Sequence, residues 1–118
     1  MDAEIVWVAS TKADLTAVSE SVRRTMGAAL RTAQQGGMSD DAEPMKGDLR
    51  DVVEVRDHDE AGTYRLMYTT RIGDVVYVLD FFQKKGVSGG ATPQPDLDRI
   101  RHRLKRVREQ HAVQQSKR

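Results

Sequence analysis

Charged side chains alternate with apolar ones along three segments that have the pattern of neighbouring β-strands. Glu54 and Arg56 lie two residues apart, so they share one face of the first strand. Arg65 lies on the second strand, and Lys84 and Lys85 end the third. Guanidinium groups bind phosphate oxygens in pairs, and aromatic rings stack on bases. These residue types are therefore candidates for a phosphodiester site.

A tight turn decides which of these side chains meet. The Gly-Asp pair at 73–74 predicts a two-residue hairpin turn, because glycine at its first position supplies the positive φ that the turn requires. In that register Arg65 faces Phe82, and Lys84 lies diagonally beside Arg65. A change of one residue in the loop would bring Lys85 there instead. Either register predicts a cationic cluster beside an aromatic ring.

The same residues also have a purely structural interpretation. Arg56 and Arg65 could pair with Glu54 and Asp80 as cross-strand ion pairs, and the charges alone do not decide between the two interpretations. Tyr68 could equally stack on a base, donate a proton or lie in the core. In the functional interpretation Arg65 is an exposed cation whose loss leaves the fold intact.

RNA cleavage without a metal ion requires a base for the 2′-OH, charge to neutralise the phosphorane, and a proton for the 5′-oxygen. Arg65 and Arg56 are candidates for binding the phosphate, since they stay charged and bind in a bidentate geometry. Lys84 or Lys85 could be the acid, or the base if neighbouring cations depress its pKa. Glu54 is the alternative base.

No cofactor or metal is expected. The chain has no cysteine, and its three histidines, at 58, 102 and 111, are scattered. The glycine-rich residues 86–90 lack the Lys-Ser/Thr that follows in a phosphate-binding P-loop.

Periodicity predicts the elements that hold these residues. The order is β-α-α-β-β-β-α, over about residues 4–8, 12–18, 20–35, 52–56, 63–71, 75–84 and 94–114. A loop is predicted over residues 38–50 and a flexible segment over residues 86–90. Trp7 is predicted to lie in the core. The fold class is α+β, with the helices on one face of an antiparallel sheet and the other face partly free.

Length and charge distribution place limits on function. The 118 residues suffice for one domain, residues 1–118, and the sequence shows neither a signal peptide nor an apolar run that could span a membrane, so we expect a cytoplasmic protein. Residues 84–118 carry a net charge of +7 and the preceding 83 residues −6. Such asymmetry indicates an anionic partner. Arg101, Lys105 and Arg108 are predicted to point outward from the last helix and to bind RNA.

Several short motifs occur in a definite order along nearly the whole chain. They are Met45-Lys46-Gly47, Glu54-Val55-Arg56, Thr63-Tyr64-Arg65-Leu66-Met67-Tyr68, the run from Gly73 to Lys85, Thr92-Pro93 and Asp96-Leu97-Asp98. In this order and spacing they resemble the phage-derived, host-killing branch of the RelE/HigB toxins.

The resemblance implies a RelE/ParE-like fold and a type II toxin, an endoribonuclease that cuts mRNA on the ribosome. It also implies a cognate helix-turn-helix antitoxin similar to HigA. The implied site residues are Tyr64 and Arg65, Lys84 and Lys85, and Glu54 and Arg56, with Lys46, Tyr68 and Phe82 as further RNA contacts. Many relatives have a proton-transferring Tyr or His after the last strand, where this chain has residues 86–90.

Three other functions stay open at this level. A ParE-like gyrase poison shares the fold and needs no RNA-cleaving groups. A non-catalytic RNA-binding or ribosome-binding module would use only the basic helix. A phage gene product that has lost its activity would keep the fold alone.

Overall fold

The computed structural model describes residues 2–84 and 91–116. Its helices and strands are β1 (Glu4–Trp7), α1 (Thr11–Thr16), α2 (Glu20–Gln34), β2 (Ala42–Pro44), β3 (Val52–Asp59), β4 (Gly62–Thr69), β5 (Val75–Lys84) and α3 (Gln94–Ser116), with a 3-10 turn at Gly47–Leu49. The predicted α+β class is confirmed. Lys85 and the segment predicted to be flexible, 86–90, lie outside the described residues.

The five strands form one sheet in the order β1-β5-β4-β3-β2. The sheet is mixed rather than antiparallel as predicted, because β1 pairs with β5 in the parallel direction. The chain leaves β1 through two helices and returns at the opposite edge. It then crosses the sheet strand by strand until β5 lies beside β1. Trp7, which was expected in the core, is therefore half-buried on an edge strand.

Strand β2 lies within the region predicted to be a loop, residues 38–50. It pairs with β3 through three positions, with Ala42 opposite Val55 and Pro44 opposite Val53. An edge strand whose side chains are mostly exposed has no reason to alternate apolar and polar residues, and its outer edge tolerates proline. The alternation of apolar and polar residues that would have predicted a strand is therefore absent from β2.

Helices cover both faces of the sheet, so the prediction of helices on one face was wrong. Helices α1 and α2 pack on one face through Leu15, Val22, Met26 and Leu30, against Val53, Val55, Leu66 and Val78. Helix α3 packs on the other face through an apolar stripe, Ile100, Leu104 and Val107, against Val52, Met67, Tyr77 and Leu79. No helix within the described ranges has both the length and the apolar character needed to cross a bilayer.

The hairpin between β4 and β5 has the predicted two-residue turn. Gly73 has a φ of +61°, Ile72 pairs with Val75, and Arg65 lies opposite Phe82. A glycine is required here for a second reason, since a Cβ at position 73 would lie 2.9 Å from the His111 side chain. The register on which the cationic cluster depends was therefore predicted correctly.

A β-bulge in β5 changes which of its side chains face α3. Met67 pairs with Asp80 but Tyr68 pairs with Val78, so Leu79 is an extra residue. Leu79 packs beneath α3, and Asp80, the next residue, also turns towards α3. Val78 and Asp80 therefore face opposite sides of the sheet, because strict alternation does not survive a bulge.

The bulge is also where α3 is attached to the sheet by polar contacts. Arg103 donates hydrogen bonds to the carbonyl oxygen of Leu79 at 2.8 Å and to the Asp80 carboxylate at 3.2 Å. Arg99 donates to the other Asp80 oxygen at 2.9 Å and to Asp96 at 2.6 Å. Burial would by itself lower the pKa of Arg99, but these hydrogen bonds outweigh it and raise that pKa.

We expect Asp80→Ala to lower the free energy of unfolding by roughly 3 kcal/mol, because it leaves two guanidinium groups without their buried carboxylate. Asp74→Ala is the matched control, since the Asp74 side chain is 92% exposed and its pair with Arg71 should contribute about 0.5 kcal/mol. Urea unfolding of both variants measures the difference. Equal effects would show that Asp80 does not hold α3 on the sheet.

Candidate functional site

Glu54 is the centre of a polar cluster on the sheet face that α3 covers. Its carboxylate accepts a hydrogen bond from Arg56 Nε at 2.5 Å and one from Arg65 Nη1 at 3.3 Å. The strand register explains the cluster, because Arg56 lies directly opposite Arg65 and Glu54 is two residues away on the same face. Two facing cations would repel each other, and the carboxylate between them compensates that repulsion.

A threonine from outside the sheet completes this cluster. Thr92, two residues before α3, accepts a hydrogen bond from Arg65 Nη1 at 2.7 Å and lies 3.2 Å from Glu54 Oε2, to which its hydroxyl donates. Glu54 thus receives three donors.

The structure does not place Arg65 as the exposed cation that the functional interpretation expected. Arg65 is 0% exposed, and its partner Glu54 is 6% exposed. Burial lowers the pKa of Arg65, and the charge of Glu54 opposes that change. The structural interpretation applies to Arg65 and Arg56, which both pair with Glu54. Asp80 instead pairs with α3, because the bulge turns it towards the helix.

Arg56 is the member of the cluster that reaches the surface. Its side chain is 46% exposed, its Nε is held by Glu54, and its two Nη nitrogens have no hydrogen-bond partner among residues 2–84 and 91–116. It lies on a groove of about 430 Å³ between β3, the segment before β3 and the start of α3. The groove residues used below are Lys46, Glu54, Arg56, Thr92, Leu97 and Arg101.

Lys84 lies at the end of β5, opposite Thr63 and two residues beyond Phe82 on the same face. Burial lowers the pKa of Lys84 below its ordinary value of 10.5, and the charges of Arg65 and Arg56 lower it further, against the opposing effect of Glu54. A lysine with a lowered pKa beside fixed cations is a candidate for proton transfer. The predicted proximity of Lys84 to the arginines is consistent with this electrostatic coupling.

The three aromatic residues predicted to contact RNA are not equivalent. Tyr64 and Tyr68 are buried on the α2 face, away from Glu54, and Tyr64 stacks on Phe81 with centroids 5.9 Å apart. Burial therefore supports a core position for Tyr68, which was one of its three alternatives. Tyr64 also lies in the core. Phe82 is partly buried beside α3, with the guanidinium of Arg99 at 5.7 Å from its ring centroid.

Two of the three α3 cations that were predicted to point outward form ion pairs with residues outside the helix. Arg101 bonds to Asp48 at 2.7 Å, and Arg108 bonds to Asp51 at 2.8 Å. Both acids belong to the segment before β3, which α3 crosses because it covers this face. Lys105 is exposed, and within the described part of the chain it makes no ion pair.

Sequence reasoning missed three residues that shape this face. Arg99 and Arg103 lie four residues apart on one side of the apolar stripe, so their spacing indicates a shared face. Thr92 appeared only within a motif, and no pattern signalled its contacts. Among the described residues, no three His, Cys, Asp or Glu side chains are grouped so that they could hold a metal ion.

Comparison with known proteins gives a family match and a likeness to a solved structure. Residues 13–105 match the model of a family described as phage-derived protein Gp49-like. A search of curated proteins found no match. A chain of the toxin–antitoxin complex RelBE2 from Mycobacterium tuberculosis is similar at 16% identity, with a TM-score of 0.49 over 71% of this chain and 100% of that chain.

The family match extends from α1 into α3, so it includes every element that contributes to the Glu54 cluster and to the groove. It therefore covers well over half of the chain. This protein belongs to the Gp49-like family of phage-derived proteins, which confirms the phage-derived branch of the RelE/HigB-like toxins indicated by its motifs.

Proposed function

We propose that this protein is the toxin of a type II toxin–antitoxin system and acts as an endoribonuclease that cleaves mRNA on the ribosome without a metal ion. The observation that carries the proposal is the half-exposed guanidinium of Arg56, which buried Glu54 holds at the groove surface. Lys84, with its lowered pKa, is its electrostatic neighbour. Phosphate binding and proton transfer are the two tasks that RNA cleavage by its own 2′-OH requires.

Arg56 is the proposed phosphate ligand. Because its Nε is committed to Glu54, the guanidinium plane is fixed and both Nη nitrogens are available for a phosphate. Lys46 adds positive charge along the same groove. A guanidinium that is already oriented loses little entropy on binding, so it can stabilise the charge that develops on the phosphorane.

Lys84 is the proposed proton-transfer group. As the neutral amine it takes the proton of the 2′-OH while the 2′-oxygen bonds to phosphorus and the bond from phosphorus to the 5′-oxygen breaks. The resulting ammonium supplies the proton for the 5′-oxygen, and the products are a 2′,3′-cyclic phosphate and a 5′-hydroxyl end. Glu54 is disfavoured as the base, because both of its oxygens already accept hydrogen bonds. A role for Lys85 stays a prediction.

The proposal includes a partner and a place of action. Family membership supports a cognate antitoxin, and we expect one of the HigA-like helix-turn-helix type encoded in the neighbouring reading frame. Cleavage of translated mRNA would take place in the cytoplasm, on the ribosome. The exposed Lys105 of α3 would supply charge for that association.

We expect Arg56→Ala to lower the rate of RNA cleavage by about 10²-fold or more, with a thermal midpoint within a few degrees of wild type, because a half-exposed ligand arginine contributes little to stability. Arg65→Ala should instead lower the free energy of unfolding by about 3–5 kcal/mol, because it leaves buried Glu54 poorly compensated. Mapping of mRNA 5′ ends after induced expression, together with thermal unfolding, measures both effects.

The exposed Arg50, which lies outside the cluster, provides the control Arg50→Ala, which should behave as wild type. Intact transcripts accompanied by DNA damage after induction of the wild-type protein would overturn the nuclease and favour a gyrase poison. Growth arrest with neither effect would favour a non-catalytic ribosome-binding module.

The pH dependence of cleavage should follow Lys84. Because its pKa is lowered, the neutral amine becomes populated as pH rises towards a midpoint below 10.5, and the single-turnover rate should rise with pH and level off above that midpoint. Lys84→Arg keeps the positive charge but cannot deprotonate, so the rising limb should disappear. A variant that retained the limb would exclude Lys84 as the base.

Ribosome association should depend on Lys105 more than on Arg101. Lys105→Gln removes a cation with no acidic partner in the described chain, so the slope of log K against log salt should fall by about 0.7. Arg101→Gln should reduce the slope less, because Asp48 already compensates that charge. Binding measured across a salt series compares the two variants. Slopes equal to that of the wild-type protein in both variants would show that neither cation of α3 takes part in binding.

A further inference from the structure

We propose that Thr92 is a positioning residue, whose hydroxyl holds Glu54 in the orientation that presents Arg56 to the groove. This inference rests on the proposed function, because the task of Arg56 there is to bind phosphate. Thr92 lies between the two buried members of the cluster, 2.7 Å from Arg65 Nη1 and 3.2 Å from Glu54 Oε2.

The direction of both hydrogen bonds is fixed by chemistry. A guanidinium has donors only, so the Thr92 oxygen must accept from Arg65. The ionised carboxylate has acceptors only, so the single hydroxyl hydrogen must go to Glu54. The hydroxyl therefore has one orientation in this cluster, in which it accepts from Arg65 and donates to Glu54. A side chain of the same shape without the hydroxyl can make neither hydrogen bond.

The link determines what the rest of Glu54 does. Arg65 and Thr92 both contact Oε2, which leaves Oε1 to accept the bond from Arg56 Nε. With one oxygen held from two directions, the carboxylate plane cannot rotate, so the Arg56 guanidinium keeps one orientation at the groove. Without the hydroxyl, Arg65 is the one donor to Oε2 left among the described residues, at the longer distance of 3.3 Å.

Thr92 reaches this position from the segment that begins α3. The carbonyl oxygen of the next residue, Pro93, accepts hydrogen bonds from the backbone of Asp96 and of Leu97, each at 3.1 Å. The start of the helix and the buried cluster are thus joined through two successive residues. Thr92 also lines the groove, although its hydroxyl is turned to Arg65 and Glu54.

The test compares Thr92→Val, which removes the hydroxyl and keeps the branched shape, with Thr92→Ser, which keeps the hydroxyl. We expect kcat for RNA cleavage to fall about ten- to a hundredfold in Thr92→Val with KM changed less than threefold, as for the loss of other positioning contacts. Thr92→Ser should restore kcat to within about threefold of wild type. Thr70→Val, at an exposed threonine, is the control and should match wild type.

A second measurement is independent of activity. The Nε–H of Arg56, observed by NMR on ¹⁵N-labelled protein, is protected from solvent exchange by its bond to Glu54. We expect faster exchange in Thr92→Val and wild-type exchange in Thr92→Ser. If the valine variant does not fold, Thr92→Ala gives the same comparison.

The outcomes separate the two claims. A wild-type protein that cleaves no RNA overturns the proposed function, and the Arg56 signal still decides the role of Thr92. Unchanged exchange in Thr92→Val, or full kcat in that variant, overturns the positioning role. Equal losses in the serine and valine variants would mean that Thr92 acts through packing alone.

Discussion

Two carboxylates are buried on the sheet face that α3 covers, and most of what distinguishes this face follows from the need to compensate them. Glu54 and Asp80 are each less than a tenth exposed, and a buried carboxylate is tolerated only when cations and hydrogen-bond donors surround it. Glu54 pairs with Arg65 on the neighbouring strand. Asp80 pairs with Arg99 and Arg103 of α3. The helix is therefore held by the same requirement that organises the groove beside it.

The two arginines that pair with Glu54 perform different tasks because they differ in exposure. Arg65 is fully buried, and its guanidinium donates hydrogen bonds to Glu54 and to Thr92. Arg56 uses one nitrogen on the carboxylate and turns the rest of its guanidinium towards water. A buried cation thus supports an anion, which in turn orients a surface cation. The arrangement separates the stability of the cluster from its capacity to bind a ligand, although both arginines contact the same carboxylate.

Local patterns predicted the hairpin well, because a turn of two residues around Gly73 leaves only one register for β4 and β5. They failed where the outcome depends on tertiary packing. The bulge at Leu79 has no sequence signature, since an apolar residue followed by aspartate also fits ordinary alternation. The burial of Arg65 depends on α3 and Thr92, which come from a distant part of the chain. The face chosen by α3 could not be inferred from its apolar stripe, which fits either side of a sheet.

The parallel pairing of β1 with β5 has a consequence for the way the chain is made. The first strand finds its neighbour only when the last strand has left the ribosome, because β5 is its sole partner in the described sheet. Contacts so distant in sequence close late and slowly. Helix α3 follows β5 and supplies the cations that pair with Asp80. A message cut before the codons of α3 would therefore yield a chain that cannot complete its sheet face. Synthesis through the codons of α3 is thus a condition for a folded protein.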